Sequence, residues 1–258
     1  MDVFEINNLA FTYEGEANKV LSKVTLNVRQ GDFLLLCGKS GCGKSTLLRL
    51  LKRSIAPKGN MEGSIRFMGK KTDEMSKAEL ASKIAFVMQN PDNQIICDDV
   101  YSELCFTMSQ LGFSRELMGR KVFEVANYFG INHYLDMDID LLSGGQKQML
   151  TVAAALCTSP DVLLLDEPTA SLDPNSKSLL LSALEKINKE LGMTVIIAEQ
   201  NIDAVYPCCN KIAAMENGAL SFVCEKKQVS ENLKAYSCKA AFPVYVRAYS
   251  EMGEMVGN

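Results

Sequence analysis

The sequence has no long hydrophobic run, no excess of positive charge and no secretory leader pattern. No apolar run approaches the roughly 18–20 residues of a membrane-spanning helix. The first five residues, which include Asp2 and Glu5, do not resemble a signal peptide. The formal net charge of −4 gives no bulk attraction to nucleic acid or to an anionic membrane. We therefore expect a cytosolic chain that neither spans a membrane nor binds nucleic acid.

Histidine is scarce, and the cysteines lack the spacing of zinc ligands. The one histidine, His133, lies in a polar stretch, so we expect a surface residue rather than a catalyst. The nine cysteines are scattered, Cys208 and Cys209 are adjacent, and Cys37 and Cys157 lie inside apolar runs. This distribution predicts reduced, mostly buried thiols.

What is present suits one large domain, or a core with a smaller lobe. The 258 residues are 47% hydrophobic, which is ample for a core, and 22% charged, which is ordinary. There is no internal repeat and no low-complexity segment.

Residues 38–46 fit the P-loop pattern G-x-x-x-x-G-K-[ST]. An apolar run at 33–37 precedes them, and good helix formers follow at 47–52, which is the strand–loop–helix setting that the motif requires. Glycines allow a tight turn in which consecutive N–H groups face phosphate oxygens, and the helix dipole adds to that field. The alternative is a glycine-rich turn without a ligand. The predicted phosphate-binding set is Gly38, Ser40, Gly41, Cys42, Gly43, Lys44, Ser45 and Thr46.

Within this loop, three side chains have distinct expected roles. Lys44 should reach the β- and γ-phosphates, Ser45 should hold Mg²⁺ through its hydroxyl, and Thr46 should contact the α-phosphate. The loop therefore predicts binding of a triphosphate together with Mg²⁺.

Asp166 and Glu167 follow four apolar residues at 162–165, a pattern typical of a strand in the middle of a parallel sheet. An acid at that strand end can reach Mg²⁺ through water, so Asp166 is a predicted metal ligand. Glu167 can orient and polarise a water for in-line attack on the γ-phosphate. A strand end that merely carries two acids is the alternative, but the upstream P-loop favours the catalytic interpretation.

The remaining pattern alternates strands and helices. A loop is predicted at 11–16 and a break at 57–60. The predicted strands are 3–9, 24–28, 33–37, 64–68, 84–88, 162–165 and 194–198, with a type I′ hairpin of 211–216 and 219–223 around Asn217 and Gly218. The predicted helices are 47–52, a short one opened by the capping box 76–79, and 100–110, 114–129, 145–157 and 174–191.

Residues 142–146 read Leu-Ser-Gly-Gly-Gln, here called the signature motif. A P-loop, this motif, then VLLLDEP at 162–168 and SLD at 171–173, in that order, resemble the ATPase subunit of ABC transporters. The resemblance extends from Tyr13 to about Gly218. It implies an α/β P-loop NTPase of ABC ATPase type, with a mainly parallel core sheet, an N-terminal antiparallel β subdomain and an inserted helical subdomain.

The implied organisation is an ATPase domain over residues 1–224 and a short C-terminal extension over 225–258. Within the domain, the core comprises 1–89 and 158–224, and the helical subdomain 90–157. The resemblance further implies that two subunits, identical or different, pack head to tail and bury two ATPs between P-loop and signature motif. An integral membrane subunit is the second implied partner, which places the chain at the cytoplasmic face of the membrane.

The resemblance also assigns roles to individual residues. Tyr13 would stack on adenine, although an ordinary surface tyrosine is the alternative. Gln89 would sense Mg²⁺ and the attacking water and couple to the membrane partner. Asp173 would link the two sites across the interface. The residues that would contact the ATP of the other subunit are Ser143, Gly144, Gly145 and Gln146.

One position departs from the family pattern. Gln200 stands where these ATPases usually carry a histidine that contacts the γ-phosphate. A glutamine amide can donate to a phosphate oxygen but cannot carry positive charge, so its hydrogen bond should be weaker by about 1 kcal/mol. Because Glu167 is retained, reduced rather than absent hydrolysis is expected, and a partner with a complete site is a reasonable hypothesis.

Residues 89–95, Gln-Asn-Pro-Asp-Asn-Gln-Ile, resemble the ATPases of energy-coupling factor importers, which serve cobalt, nickel or vitamins. Nearby apolar residues could form a groove for a coupling helix of the membrane partner, or they could be core of the helical lobe. These groove candidates are Ile95, Ile96, Cys97, Phe106, Met108, Leu111 and Phe113. Two other functions compete with transport: a soluble ABC ATPase acting on nucleic acid or ribosomes, and a subunit that binds ATP but barely hydrolyses it.

Overall fold

The computed structural model describes residues 1–233, 242–243, 246–247 and 250. In this part of the chain the strands are β1 (Asp2–Tyr13), β2 (Leu21–Arg29), β3 (Phe33–Cys37), β4 (Gly59–Phe67), β5 (Lys70–Lys71), β6 (Ile84–Val87), β7 (Val162–Asp166), β8 (Thr194–Glu199), β9 (Lys211–Glu216) and β10 (Ala219–Glu225). The helices are α1 (Lys44–Leu51), α2 (Lys77–Lys83), α3 (Val100–Gln110), α4 (Arg115–Phe129), α5 (Gly144–Leu156), α6 (Pro174–Leu191) and α7 (Val229–Asn232).

The N-terminal strands form an antiparallel sheet in the order β2-β1-β4-β5. In β2 the side chains alternate between buried and exposed, as the spacing of Val24, Leu26 and Val28 predicts. The loop predicted for 11–16 is partly wrong, because β1 continues to Tyr13. Phe11 is only 1% exposed and pairs with both neighbouring strands, so burial of its ring extends the strand.

A second sheet has the order β10-β9-β3-β8-β7-β6, and all of its pairs are parallel except β10 with β9. Every residue of β3, β7 and β8 is buried, which is why these strands read as continuous apolar runs. The predicted fold class is therefore confirmed. Because parallel strands point the same way, the residues that follow β3, β7 and β8 meet at one edge of this sheet.

Between β6 and β7 the chain forms the helices α3, α4 and α5, close to their predicted bounds. Ser114 and Ser143 are N-caps rather than helical residues, and each accepts a hydrogen bond from the third residue after it. The three helices enclose their own cluster of buried apolar side chains. Met108 is fully buried in that cluster, so of its two predicted locations, groove or core of the helical lobe, it occupies the core. Ile95 and Phe113 pack against the same cluster. The limits 90–157 for a subdomain stay a prediction.

The structure also bears on the predictions for the histidine, the cysteines and the C-terminal extension. His133 is exposed, and Cys37 and Cys157 are buried free thiols, as expected. The predicted extension 225–258 is only partly described, since Glu225 belongs to β10 and residues 234–241, 244–245, 248–249 and 251–258 lie outside the described residues. Phe242 is buried in the core cluster on one face of the parallel sheet.

The turn between β9 and β10 joins the two sheets to the P-loop. Asn217 and Gly218 have φ angles of 48° and 79°, as a type I′ turn requires. The Gly218 amide donates to the Cys42 carbonyl (3.0 Å), and the Ser22 amide donates to the Gly218 carbonyl (2.8 Å). One turn thus holds β2 on one side and the phosphate-binding loop on the other.

We predict that Gly218→Ala destabilises the protein more than Gly69→Ala. Both glycines have φ near 80°, so each alanine costs about 1–2 kcal/mol in backbone strain. A Cβ at Gly218 would lie 2.3 Å from the Val20 carbonyl oxygen, whereas a Cβ at Gly69 meets nothing within 4 Å. Overpacking should add about 1–3 kcal/mol to the loss in the G218A variant alone. Urea unfolding of both variants measures the difference, and equal losses would contradict the packing argument.

Candidate functional site at the carboxyl edge of the parallel sheet

The loop from residue 38 to 43 joins β3 to α1 and is closely packed at its glycines. A Cβ at Gly38 would lie 2.4 Å from the Met215 carbonyl oxygen, and one at Gly43 would lie 2.8 Å from a methyl of Leu21. Gly43 also has a φ of 107°, which disfavours other residues. The motif glycines are therefore required here by the contacts between the loop and both sheets.

The first turn of α1 has no internal acceptor for its amides. Gly43 is the N-cap and supplies no side-chain cap, and the first turn carries no acidic residue. Unpaired N–H groups and the positive end of the helix dipole together make an anion site. This electrostatic arrangement matches what the P-loop pattern predicts.

Lys44 is buried at the centre of the loop and is only 3% exposed. Its ammonium group donates to the carbonyls of Gly38 (2.9 Å) and Lys39 (3.3 Å) and forms an ion pair with Glu167 (3.3 Å). A buried cation is costly unless it is paired, and these three contacts pair it. The predicted P-loop lysine and the predicted catalytic glutamate thus meet directly.

Ser45 and Asp166 form a second contact, where the Ser45 hydroxyl donates to Asp166 Oδ1 at 2.8 Å. Asp166 is 4% exposed, and burial raises the pKa of its carboxyl, although the bond from Ser45 opposes the shift. Among the described residues no group of three or more His, Cys, Asp or Glu side chains could hold a metal. A hydroxyl and a carboxylate are hard oxygen donors, and they fit Mg²⁺, which keeps water and phosphate oxygens as its other ligands.

Glu167 follows β7 and borders an open cavity of about 910 Å³. Its backbone adopts a φ of 47°, and its amide donates to the Ala198 carbonyl at 2.9 Å. Gln200 directly follows β8, is exposed, and lines the same cavity together with Gly38 and Ser40. The residue at the histidine position therefore faces the same space as the predicted catalytic acid.

Gln89 follows the edge strand β6 and is exposed. Val87 pairs with Leu165 in the parallel ladder, so Gln89 and Glu167 each lie two residues beyond a paired position. This register puts Gln89 on the same sheet edge as Asp166 and Glu167. Among the described hydrogen bonds, none involves the Gln89 side chain.

Tyr13 lies beside the end of the P-loop. Its hydroxyl and the Thr46 hydroxyl share a hydrogen bond of 2.9 Å, and its ring meets the edge of Phe11 at 5.2 Å between centroids. The side chain is half-buried and borders a recess of about 930 Å³ whose other wall includes Pro57 and Lys58. One ring face can therefore receive a flat apolar group next to the phosphate site.

The signature motif forms the start of α5. Ser143 and Gln146 make a reciprocal capping box, and the side-chain Nε2 of Gln146 also donates to the Tyr134 hydroxyl at 2.6 Å. A Cβ at Gly145 would lie 2.6 Å from Ser176 Oγ, whereas one at Gly144 would meet nothing within 4 Å. Ser143 and Gly144 are exposed, so this helix start is open to another molecule.

Asp173 caps α6 and accepts hydrogen bonds from the amides of Asn175 (2.9 Å) and Ser176 (3.1 Å). Ser176 is the residue against which Gly145 packs, so Asp173 and the signature motif are neighbours within one chain. Among the described hydrogen bonds, none joins residues 143–146 to the P-loop. The predicted residues therefore divide into two groups: the phosphate site and the signature region.

Sequence reasoning missed two buried polar residues beside the phosphate site, Glu199 and Thr169. They hydrogen-bond to each other at 2.7 Å and line the same cavity as Glu167. The available signal was an acid at the end of the apolar strand 194–198, immediately before Gln200.

Fold and site together define a P-loop nucleotide-binding domain of the ATPase kind. The sequence profile of the ABC transporter family matches residues 21–170, which is more than half of the chain. The chain therefore belongs to the ABC transporter family and is an ABC-type ATP-binding domain.

Named relatives agree with this assignment. The chain is 38% identical over 229 residues to an ABC transporter ATP-binding protein of Bacillus cereus, covering 89% of this chain and 41% of that protein. It is 35% identical over 236 residues to one of Pyrococcus abyssi, covering 91% and 84%. The chain thus spans about two fifths of the length of the Bacillus relatives that it matches.

Solved structures give the same fold. CbiO1 of Clostridium perfringens, described as part of the ABC transporter complex cbiONQ, aligns with a TM-score of 0.79 and 29% identity. That alignment covers 93% of this chain and 97% of CbiO1. The ATP-binding cassette MJ0796, solved as a dimer bound to ADP and phosphate, aligns with a TM-score of 0.75 and 25% identity over 86% of this chain and 98% of the cassette. Within the described residues, no helix is both long and apolar enough to cross a membrane.

Proposed function

We propose that this chain is the ATP-hydrolysing subunit of an ABC importer of the energy-coupling factor type. It would act at the cytoplasmic face of the membrane and power uptake of a metal ion or vitamin. The observation that carries the proposal is the direct contact of Lys44 with Glu167, beside that of Ser45 with Asp166, at one sheet edge. The likeness to CbiO1 supports the importer type.

The P-loop would hold the triphosphate of ATP. Its glycine-rich backbone and the open amides of α1 would face the phosphate oxygens, and Lys44 would neutralise the β- and γ-phosphates. Ser45 and Asp166, with Gln89 at the same edge, would hold Mg²⁺, which offsets phosphate charge when bound. Tyr13 would stack on adenine while its hydroxyl stays bonded to Thr46.

Glu167 would orient the attacking water. In the described structure its carboxylate serves as the counter-ion of Lys44 at 3.3 Å. A phosphate anion near Lys44 would take over that role, so the Glu167 carboxylate could turn to a water in line with the γ-phosphate. Gln200 would donate a neutral hydrogen bond to the same phosphate. The chemistry is then positioning and charge stabilisation, without a covalent intermediate.

A second ATPase subunit would complete each site. Ser143 and Gly144 are exposed at the start of α5, and a helix start of this kind suits the phosphates of an opposing nucleotide. In a head-to-tail pair, Gly145 and Gln146 would complete that contact, and Asp173, beside the signature motif, would link the two sites. The partner is either a second copy or a related chain with histidine at the Gln200 position.

A groove between α2, β6 and the helices α3 and α5 suits the membrane subunit. It has a volume of about 390 Å³ and is lined by Ile96 and Phe106 among the predicted groove residues, with Lys52 and Glu103 as charged neighbours. Ile96 is 65% exposed beside this groove, so its apolar side chain is accessible to a partner. The segment 89–97 leads from the nucleotide edge to this groove, so it offers a route for coupling.

The neutral Gln200 favours one second candidate, a subunit that binds ATP but hydrolyses it slowly. Retention of Glu167 in contact with Lys44 argues for hydrolysis instead.

We predict that Glu167→Gln traps a closed dimer in ATP. The amide cannot activate water as the carboxylate does, yet nucleotide binding by the P-loop should persist, so the sandwich accumulates. Light scattering in ATP should report a dimer. The matched control is the double variant E167Q/K44A. It loses the Lys44 ammonium that would bind the phosphates, so it should remain monomeric. A monomeric E167Q protein in saturating ATP would argue against the proposed sandwich.

We predict that Gln200→His raises ATP turnover of the assembled complex several-fold, because a charged donor stabilises phosphate by about 1 kcal/mol more than a neutral one. Asn201→His is the control, since Asn201 lines the same cavity one residue further on. Steady-state phosphate release measures both variants. Unchanged or lower turnover of Q200H, or an equal rise in N201H, would refute the assigned role.

We predict that Ile96→Asp abolishes stable assembly with the membrane subunit and leaves ATP affinity unchanged. A charge in an apolar contact loses its hydration without gaining a partner. Leu179→Asp is the control, because Leu179 is also 65% exposed but lies on α6, away from the groove. Copurification from membranes distinguishes the two variants. Intact assembly of I96D would exclude this groove as the docking surface.

A further inference from the structure

Glu199 is a buried carboxylate to which the mechanism above gives no role. It is the last residue of β8 and only 3% exposed. Its Oε1 accepts two hydrogen bonds from one residue, from the Thr169 amide at 3.1 Å and the Thr169 hydroxyl at 2.7 Å. Thr169 is itself 1% exposed. A carboxylate so deeply buried is costly unless it is hydrogen-bonded, and both of these bonds hold the same turn.

That turn begins at Glu167. The Ala170 amide donates to the Glu167 carbonyl at 3.2 Å, so residues 167–170 form a hydrogen-bonded turn that contains Thr169. Glu167 has a φ of 47°, a left-handed conformation that a non-glycine residue keeps only where its surroundings hold it. On one side, its amide bonds to the Ala198 carbonyl at 2.9 Å. On the other side, the turn is held by the two hydrogen bonds from Thr169 to Glu199.

Both of these contacts come from β8, the strand that also delivers Gln200. Glu199 directly precedes Gln200, and Gln200 and Glu167 line the same cavity. The Glu199–Thr169 bonds thus add to the Glu167–Ala198 bond in holding the turn that carries Glu167 beside the strand end that carries Gln200. Burial raises the pKa of the Glu199 carboxyl and the charge of Glu167 adds to that shift, while Thr169 and Lys177 oppose it.

We propose that Glu199 is a positioning residue for ATP hydrolysis, which acts through Thr169 to hold the Glu167 carboxylate in register with Gln200. This inference rests on the proposed role of Glu167 in orienting the attacking water. Glu199 itself touches neither nucleotide nor water in this scheme. Its contribution is to maintain the strained conformation at Glu167 while phosphate replaces the Glu167 carboxylate as the counter-ion of Lys44.

The test uses the full chain, in its assembled complex, and separates turnover from ATP affinity. Thr169→Val removes the hydroxyl donor but keeps the amide and the side-chain shape, and Glu199→Ala removes both bonds. Each variant should lower kcat about tenfold or more, with the Kd for ATP changed by less than about threefold, because the P-loop contacts are intact. Thr169→Ser and Glu199→Gln retain a hydroxyl donor and an acceptor oxygen, and each should recover most of the turnover.

Thr169→Val in the E167Q background shows whether its loss of turnover depends on Glu167. Thr169→Val should then lower the residual rate by less than about twofold, because the group that it positions is already disabled. A tenfold loss in both backgrounds would overturn the inference. So would wild-type kcat for T169V and E199A beside an impaired E167Q.

Two further outcomes are distinguishable. Wild-type turnover of E167Q would refute the role of Glu167 itself, and this inference with it. If E199A does not fold, as its unfolding midpoint would reveal, T169V and T169S decide the question alone. Valine keeps the shape of threonine without its hydroxyl, whereas serine keeps the hydroxyl without the methyl group.

Discussion

A buried ammonium group, that of Lys44, organises the phosphate site. It is held by two carbonyls of its own loop and by Glu167, which follows β7, so two distant parts of the chain must meet. The loop can close around it only because Gly38 fits against the carbonyl of Met215 without a side chain. The arrangement satisfies the charge of a lysine that water hardly reaches. It also places the lysine and the open amides of α1 around one anion site, with the Glu167 carboxylate next to the lysine.

The outermost strand of the parallel sheet, β6, pairs on its open side with side chains rather than with another strand. Gln94 accepts from the Met88 amide (2.7 Å) and donates to the Phe86 carbonyl (3.0 Å), so its amide pairs with the edge strand β6 as a neighbouring strand would. Beyond it, Glu103 accepts from the amides of Ile96 and Cys97, both at 3.0 Å. The segment that runs from Gln89 to the groove is thus tied down at two points.

Much of the fold could be predicted because the apolar periodicity and the local caps agree with the tertiary structure. The bounds of α3 and α6 and the type I′ turn at Asn217 and Gly218 match their predictions, since caps and turn residues are local features. The exceptions have tertiary causes. Phe11 lies in a polar neighbourhood yet extends β1, because two neighbouring strands bury its ring. For Met108 the sequence left groove and core open, and the packing of α3, α4 and α5 decides for the core.

The sequence by itself determined the class of the protein. A P-loop, an LSGGQ motif and a strand ending in two acids are contiguous signals, and each acts through backbone geometry or charge that a short segment carries within itself. Only the tertiary structure decided which of these segments touch: Lys44 with Glu167, Ser45 with Asp166, Gly145 with Ser176, and Glu199 with Thr169. The last pair is 30 residues apart and has no pattern of its own. The sheet order alone brings β7 and β8 side by side, and only there does a buried carboxylate find its donors.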